Sequence, residues 1–270
     1  MNLVLMLKAI LLGVVEGITE FLPISSTGHM ILVNEFIKLS ENQKFVTAFE
    51  VIIQLGAILS VIVYFWNKLW PFSGDKEEQK EKWILWSKVM VAVLPAVVLG
   101  LKFDDFIEEK LFNSIVVSIA LIFYGVVLII IENIHKSKKE FKVNSLNKLT
   151  YKTALIIGFF QCLAMVPGTS RSASTIIGGI LLGLNRAIAA EFSFFLAIPT
   201  MFGATLLKIV KVGISFSNTE WILIGIAFLV SFIVALVVIK LFMSYIKKKD
   251  FKIFGYYRIV LGIIVLIILR

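Results

Sequence analysis

The chain has 270 residues, of which 59% are hydrophobic and 17% charged, and its mean hydropathy is +0.95. Soluble domains run about 45–50% apolar, so a water-soluble globular fold is excluded and a polytopic, all-α membrane protein is expected. The net charge of +9 does not mark a nucleic-acid partner, because lysines gather in linkers 67–82, 132–152 and 240–252, where the positive-inside rule puts them beside spans on the cytoplasmic side.

The first element, 3–21, is a short apolar segment with one lysine, Lys8. It lacks the basic start and small-residue cleavage site of a signal peptide, so it is expected to stay in the mature protein. Glu16 and Glu20 fall within it, four apart and therefore on one helix face. An ionisable group at mid-membrane costs roughly 2.5–3.5 kcal/mol and is usually functional. Two adjacent carboxylates repel unless a cation lies between them. An oxygen pair suits Mg²⁺ or Ca²⁺, and Mg²⁺ binds through one or two carboxylates plus substrate phosphates.

Pro23 ends this segment, and Ser25, Ser26, Thr27, Gly28 and His29 open a second short one, 24–39. Hydroxyls after a break cap helices. Beside two carboxylates, three hydroxyls and an imidazole also supply a nucleophile and a base. A full span, 45–66, carries Glu50 and Gln54, again four apart. These two, with Glu191 further on, are expected to line the same cavity or to support Arg171 and His29 from behind.

Spans 83–101 and 112–131 flank a charged linker, 102–111, which alternation places outside with 211–220 and both termini. Trp66, Trp70, Trp83 and Trp86 sit at span ends and read as interfacial belt residues. His135, among lysines, reads as solvated. The single cysteine, Cys162, excludes an intramolecular disulfide framework and reads as a packed apolar thiol.

In the second half, short segments 153–166 and 172–184 enclose the motif QCLAMVPGTSRSAST, Gln161 to Thr175. Pro167 and Gly168 break the helix. A helix N-terminus then offers amides and a favourable dipole to an anion. Arg171 adds a planar fork suited to phosphate, with Thr169, Ser170, Ser172 and Thr175 around it. Spans 188–210, 221–243 and 251–269 complete the chain, making six.

The halves resemble each other. AILLGVVEGITEFLP aligns with ALIIGFFQCLAMVP, TAFEVIIQ with AEFSFFLA, KWIL with EWIL and YGVVLIII with LGIIVLII, in the same order. With the orientation above, repeat 1 (about 1–131) starts outside and repeat 2 (about 149–270) inside. An inverted repeat in one membrane domain places its site between the halves, and short broken segments mark discontinuous, re-entrant helices around it.

The motifs EGITEFLPISSTGH, FEVIIQLGAI, PGTSRSAST and AAEFSFFLAIP, in this order along essentially the whole chain, resemble the undecaprenyl-diphosphate phosphatase family, also known as the bacitracin-resistance proteins. The resemblance implies a bacterial cell-membrane enzyme that removes the terminal phosphate of undecaprenyl diphosphate. Its product, undecaprenyl phosphate, carries peptidoglycan precursors, and loss of the free diphosphate explains the resistance. By position, the resemblance assigns the glutamate pair to Glu16 and Glu20, the hydroxyl and histidine to Ser26 and His29, and the phosphate-gripping arginine to Arg171. It departs at Ala173, where the family usually has glycine. The nucleophile stays open between Ser26, His29 and water. The expected partners are the lipid substrate and membrane lipids, and a homodimer is compatible with the chain. A transporter or flippase of the same carrier is the alternative, since inverted repeats around a charged midplane site are a transporter design.

Overall fold

The computed structural model describes residues 2–136 and 142–269. Eleven α-helices form along these residues: α1 (Leu3–Thr19), α2 (Ser26–Phe36), α3 (Gln43–Tyr64), α4 (Trp66–Leu69), α5 (Lys76–Leu111), α6 (Ser114–Lys136), α7 (Tyr151–Cys162), α8 (Arg171–Leu181), α9 (Arg186–Val212), α10 (Asn218–Ile246) and α11 (Lys252–Ile268). Among the described residues there is no strand, only an isolated parallel bridge between Val143 and Leu184. In lipid the backbone must satisfy its own polar groups, and helices do so within one segment.

Five helices, α3, α5, α6, α9 and α10, are long and apolar enough to cross a membrane. The sixth expected span, α11, has 17 residues, which is about 26 Å at 1.5 Å per residue. The four short segments appear as α1, α2, α7 and α8, with a 3₁₀ turn, Leu163–Met165, prolonging α7.

The linker expected over 102–111 is instead helix, because α5 runs unbroken for 36 residues to Leu111. Its Lys and Glu residues are good helix formers, so the fall in hydropathy marks departure from the apolar layer and not the end of the helix. Asn113 then accepts from the amide of Val116 and starts α6. The side chains of Asp104, Asp105, Glu108 and His135, and all of residues 137–141, lie outside the described residues.

Packing follows a reciprocal scheme: α1 lies on α10 and α7 on α5, α3 meets α9, and α6 pairs with α11. Small residues permit the tight crossings on which membrane helices rely. A Cβ at Gly13 would sit 2.6 Å from the Ala227 carbonyl oxygen, and one at Gly158 would run into the Ala92 carbonyl. The two short post-break helices differ in environment. Residues 172–180 of α8 are all buried, whereas in α2 only Gly28, His29 and Met30 are.

At the end carrying the lysine-rich linkers, two ion pairs brace the bundle. Arg186 grips buried Glu132 through two nitrogens, at 2.6 and 3.0 Å, and Lys68 holds both oxygens of Glu191 at 2.8 and 2.9 Å. Trp66, Trp70 and Trp83 are exposed, and Trp86 donates its indole N–H to Leu69. Cys162 is half-buried, its thiol donating to the Gly158 carbonyl.

Candidate active site

Two helix breaks meet at the centre. The first, after α1, ends at Ser25, and the second, after α7, ends at Ser170. Both serines have positive φ, 72° and 73°, and they are the only non-glycine residues in that region among those described. Each caps the helix that follows, Ser25 accepting from the Gly28 amide and Ser170 from the Ala173 amide. Backbone strain of this kind costs of order 1–3 kcal/mol per residue and gathers at functional sites. Gly168, at φ 88°, presses its backbone against Val117 of α6, where a side chain would not fit.

The first residue of each new helix points at one carboxylate. Ser26 donates its hydroxyl to Glu20 Oε2 at 2.7 Å, and Arg171 donates Nη2 to Glu20 Oε1 at 2.9 Å. Sequence positions 20, 26 and 171 thus form one hydrogen-bonded unit. The Glu20 side chain is 5% exposed and that of Arg171 12%, so the pair is largely removed from water. Arg171 Nη1 donates to the Ser193 carbonyl at 3.1 Å, and the guanidinium lies 5.9 Å from the Phe21 ring centroid. Its Nε is buried without a protein partner.

Glu16 sits one turn before Glu20, is buried, and interacts electrostatically with Glu20, Glu50 and Arg171. Its Oε1 has no hydrogen-bond partner. An orphaned carboxylate oxygen beside a second carboxylate is a donor set for a hard divalent cation, and the residues fit Mg²⁺ or Ca²⁺ in that respect. Among the described residues no group of three or more His, Cys, Asp or Glu side chains is arranged around a metal position. The remaining ligands would therefore come from substrate and water.

A cavity of about 660 Å³ reaches this centre. Glu16, Ser26, Thr27, Asn34, Glu50 and Gln54 line it, and Lys38 and Lys208 are among its other lining residues. Gly100, Ile107, Phe112 and Met165 give it an apolar border. Glu20 and Arg171 are not among its walls and communicate with it through Ser26. Glu50 and Gln54 line the cavity, and Asn34 donates to Glu50 Oε1 at 2.7 Å.

Other expected residues go elsewhere. Glu191, in the second turn of α9, spends both its oxygens on Lys68 and not on Arg171 or His29. His29 Nδ1 lies 2.7 Å from the Ser25 carbonyl, and its Nε2 2.7 Å from the Tyr257 hydroxyl. A carbonyl only accepts, so Nδ1 carries the proton, and in the neutral ring Nε2 accepts from Tyr257. Both nitrogens are thereby occupied, neither by Ser26. The ring stacks parallel to Tyr257 at 5.5 Å.

The hydroxyls expected to grip phosphate hold the second break instead. Ser172 donates to the Leu22 carbonyl at 2.9 Å, and Thr175 donates to the Arg171 carbonyl at 2.9 Å and contacts the Ser193 hydroxyl at 2.6 Å. Thr169 is fully buried with its hydroxyl unpartnered. Ala173 lies in the first turn of α8, fully buried and helical, so this position needs no glycine.

Three residues of the centre were not singled out from sequence. Ser193 anchors Arg171, and the alignment of TAFEVIIQ with AEFSFFLA already sets it opposite Glu50. Tyr257 and Arg258 reach in from α11, and their signal was a cation, Arg258, inside the last apolar stretch.

A profile of the bacitracin resistance protein BacA family matches residues 9–264. The chain is 57% identical to undecaprenyl-diphosphatase 1 of Clostridioides difficile strain 630 over 261 residues, 96% of this chain and 94% of that protein. It is 55% identical to the undecaprenyl-diphosphatase of Acetivibrio thermocellus over 264 residues, 97% of each chain. With the undecaprenyl-diphosphatase of Enterococcus faecalis strain V583 the identity is 53% over 264 residues, covering 96% of this chain and 95% of that one.

Proposed function

The chain belongs to the bacitracin resistance protein family and hydrolyses undecaprenyl diphosphate to undecaprenyl phosphate and inorganic phosphate, and we propose that Ser26 is its nucleophile and Glu20 the base. The observation that carries the assignment is the double engagement of Glu20, by the Ser26 hydroxyl on one oxygen and the Arg171 guanidinium on the other. This activity recycles the lipid carrier of cell-wall synthesis and confers bacitracin resistance.

Glu20 is already hydrogen-bonded to the proton it takes, which is the geometric requirement of a general base. The Ser26 oxygen attacks the terminal phosphorus in line with the bond to the bridging oxygen. That bond breaks, undecaprenyl phosphate leaves with the electron pair and takes the proton from Glu20, and a phosphoserine remains beside the regenerated carboxylate. Water, surrendering a proton to the same carboxylate, then releases inorganic phosphate and restores the hydroxyl. Charge stabilisation is most of phosphoryl-transfer catalysis. Arg171 holds the other oxygen of Glu20, with its Nε unspent. A divalent ion held by Glu16 and Glu20 would supply countercharge to the diphosphate. His29 holds the first turn of α2 by tying Ser25 to Tyr257.

The protein is a multi-pass membrane protein, and we place it in the bacterial cell membrane with α11 as a sixth span and the cavity opening outward. The cavity is bordered by Gly100, Ile107 and Lys208, at the ends of α5 and α9 that lie opposite the lysine-rich linkers. Its apolar border suits a prenyl chain entering from the bilayer. The inverted repeat is supported by paired crossings. Gly125 abuts Gly255 and Gly262 abuts Ser118, and adding 137 to 118 and 125 gives 255 and 262, so each crossing maps onto the other.

The decisive experiment measures phosphate release from a prenyl diphosphate by purified protein in detergent. Ser26→Ala and Glu20→Gln are expected to be inactive, and full activity in either would overturn the assignment. The repeat symmetry also favours a second reading, movement of the carrier across the membrane. Lipid movement that survives Ser26→Ala in vesicles would support that reading, and its absence there would reject it.

A further inference from the structure

We propose that Arg258 is a positioning residue of the phosphatase centre: it locks the two helix breaks into the register in which Ser26 and Arg171 meet on Glu20. Arg258 lies midway along α11 and is fully buried. Its Nη1 donates to the Pro23 carbonyl at 3.3 Å, in the first break. Its Nη2 donates to the Gly168 and Thr169 carbonyls at 2.8 and 2.9 Å, in the second. A longer contact, 3.5 Å, reaches Ala120 of α6. One guanidinium therefore bonds both breaks at once, three residues before Ser26 in the first and three and two residues before Arg171 in the second.

No carboxylate pairs with Arg258 among the described residues, and its electrostatic neighbours are His29 and Tyr124. A buried cation lacking an acid is expensive in lipid, and a hydrophobic side chain of like volume would pack there without that cost. What a hydrophobic residue cannot do is hold carbonyls from two separate loops. Those carbonyls are free because proline and positive-φ residues end the regular bonding at each break. Planarity matters as well: two nitrogens of a rigid fork aim at two loops together, which the single point of a lysine cannot reproduce.

The inference rests on the assignment of Ser26, Glu20 and Arg171 to the reaction. The test purifies Arg258→Lys and Arg258→Gln beside Ser26→Ala and measures kcat, KM and thermal midpoint with a prenyl diphosphate. A misplacement of about 1 Å costs roughly 10²-fold in rate, so kcat is expected to fall about that much in both variants. KM should stay within about threefold, because the groups that meet the substrate are unchanged. The thermal midpoint should move by only a few degrees. Arg258→Lys with at least half the wild-type kcat would overturn the proposal. So would a KM that rises in step with the loss, or failure of both variants to fold, which would assign Arg258 to stability alone. Full activity of Ser26→Ala would instead reject the site assignment. The Arg258 inference fails by itself when Ser26→Ala is dead and Arg258→Lys is unimpaired.

Discussion

Glu20 decides the chemistry because each of its two oxygens engages a different partner. Removing the Ser26 hydroxyl leaves the carboxylate paired to Arg171 but takes away the attacking atom, so Ser26→Ala should lose on the order of 10³-fold or more in kcat with little change in KM. Glu20→Gln removes both the base and the anion facing Arg171. A general base contributes about 10²–10⁴-fold, and a fall in that range in a steady-state phosphate assay is the expected result. His29 tests the opposite expectation. The ring is held by Ser25 and Tyr257 and does not touch Ser26, so His29→Asn, which keeps a donor near the Nδ1 position, should lower activity without changing the shape of the pH–rate profile. Loss of one limb of that profile would make His29 an acid–base group after all.

Helix breaks, more than helices, build the site. α2 and α8 each begin at a strained serine cap, and the residue after the cap is the one that bonds Glu20. The breaks were readable from Pro23, Pro167 and Gly168, whose effects are local. The run of helix through 102–111 was not, because charge reports only the polarity of the surroundings and does not mark where a helix ends. Packing at this scale is tight where α7 crosses α5. Gly158→Ala would push a methyl into the Ala92 carbonyl, and overpacking of this kind costs about 1–3 kcal/mol. Its thermal midpoint in detergent should drop by several degrees. Gly225→Ala, with open space around it, should leave the midpoint unchanged or raise it slightly, since helix-interior glycine is worse than alanine by about 0.5–1 kcal/mol.

Across the whole molecule, one cavity reaches Glu16 and Ser26 from the α2–α3 side, while α8 is sealed within the bundle. A cysteine in place of Thr27, in a Cys162→Ser background, should react with a membrane-impermeant maleimide from outside sealed cells and be protected by substrate. Labelling only from the cytoplasmic side would reverse the proposed orientation. Chelation by EDTA should abolish phosphate release, with Mg²⁺ or Ca²⁺ restoring it. The Glu16→Gln, Glu20→Gln double variant should bind neither ion by calorimetry. Retained activity after exhaustive chelation would remove the metal from the scheme.

Hydropathy, charge clustering and helix-breaking residues act over a few neighbouring positions, so the amino-acid order alone determined a polytopic helical membrane protein, its short broken segments and most of the residues around the centre. Which of those residues touch was decided by the tertiary structure. Glu20 meets Arg171 across 151 positions, and Arg258 meets Pro23 across 235. Such contacts depend on how whole helices cross. The same crossings turned His29 toward Tyr257, gave Glu191 to Lys68 and spent the hydroxyls of Ser172 and Thr175 on the backbone of the breaks. A buried polar group bonds whatever donor or acceptor the fold brings within about 3 Å, and that distance is a property of the assembled bundle.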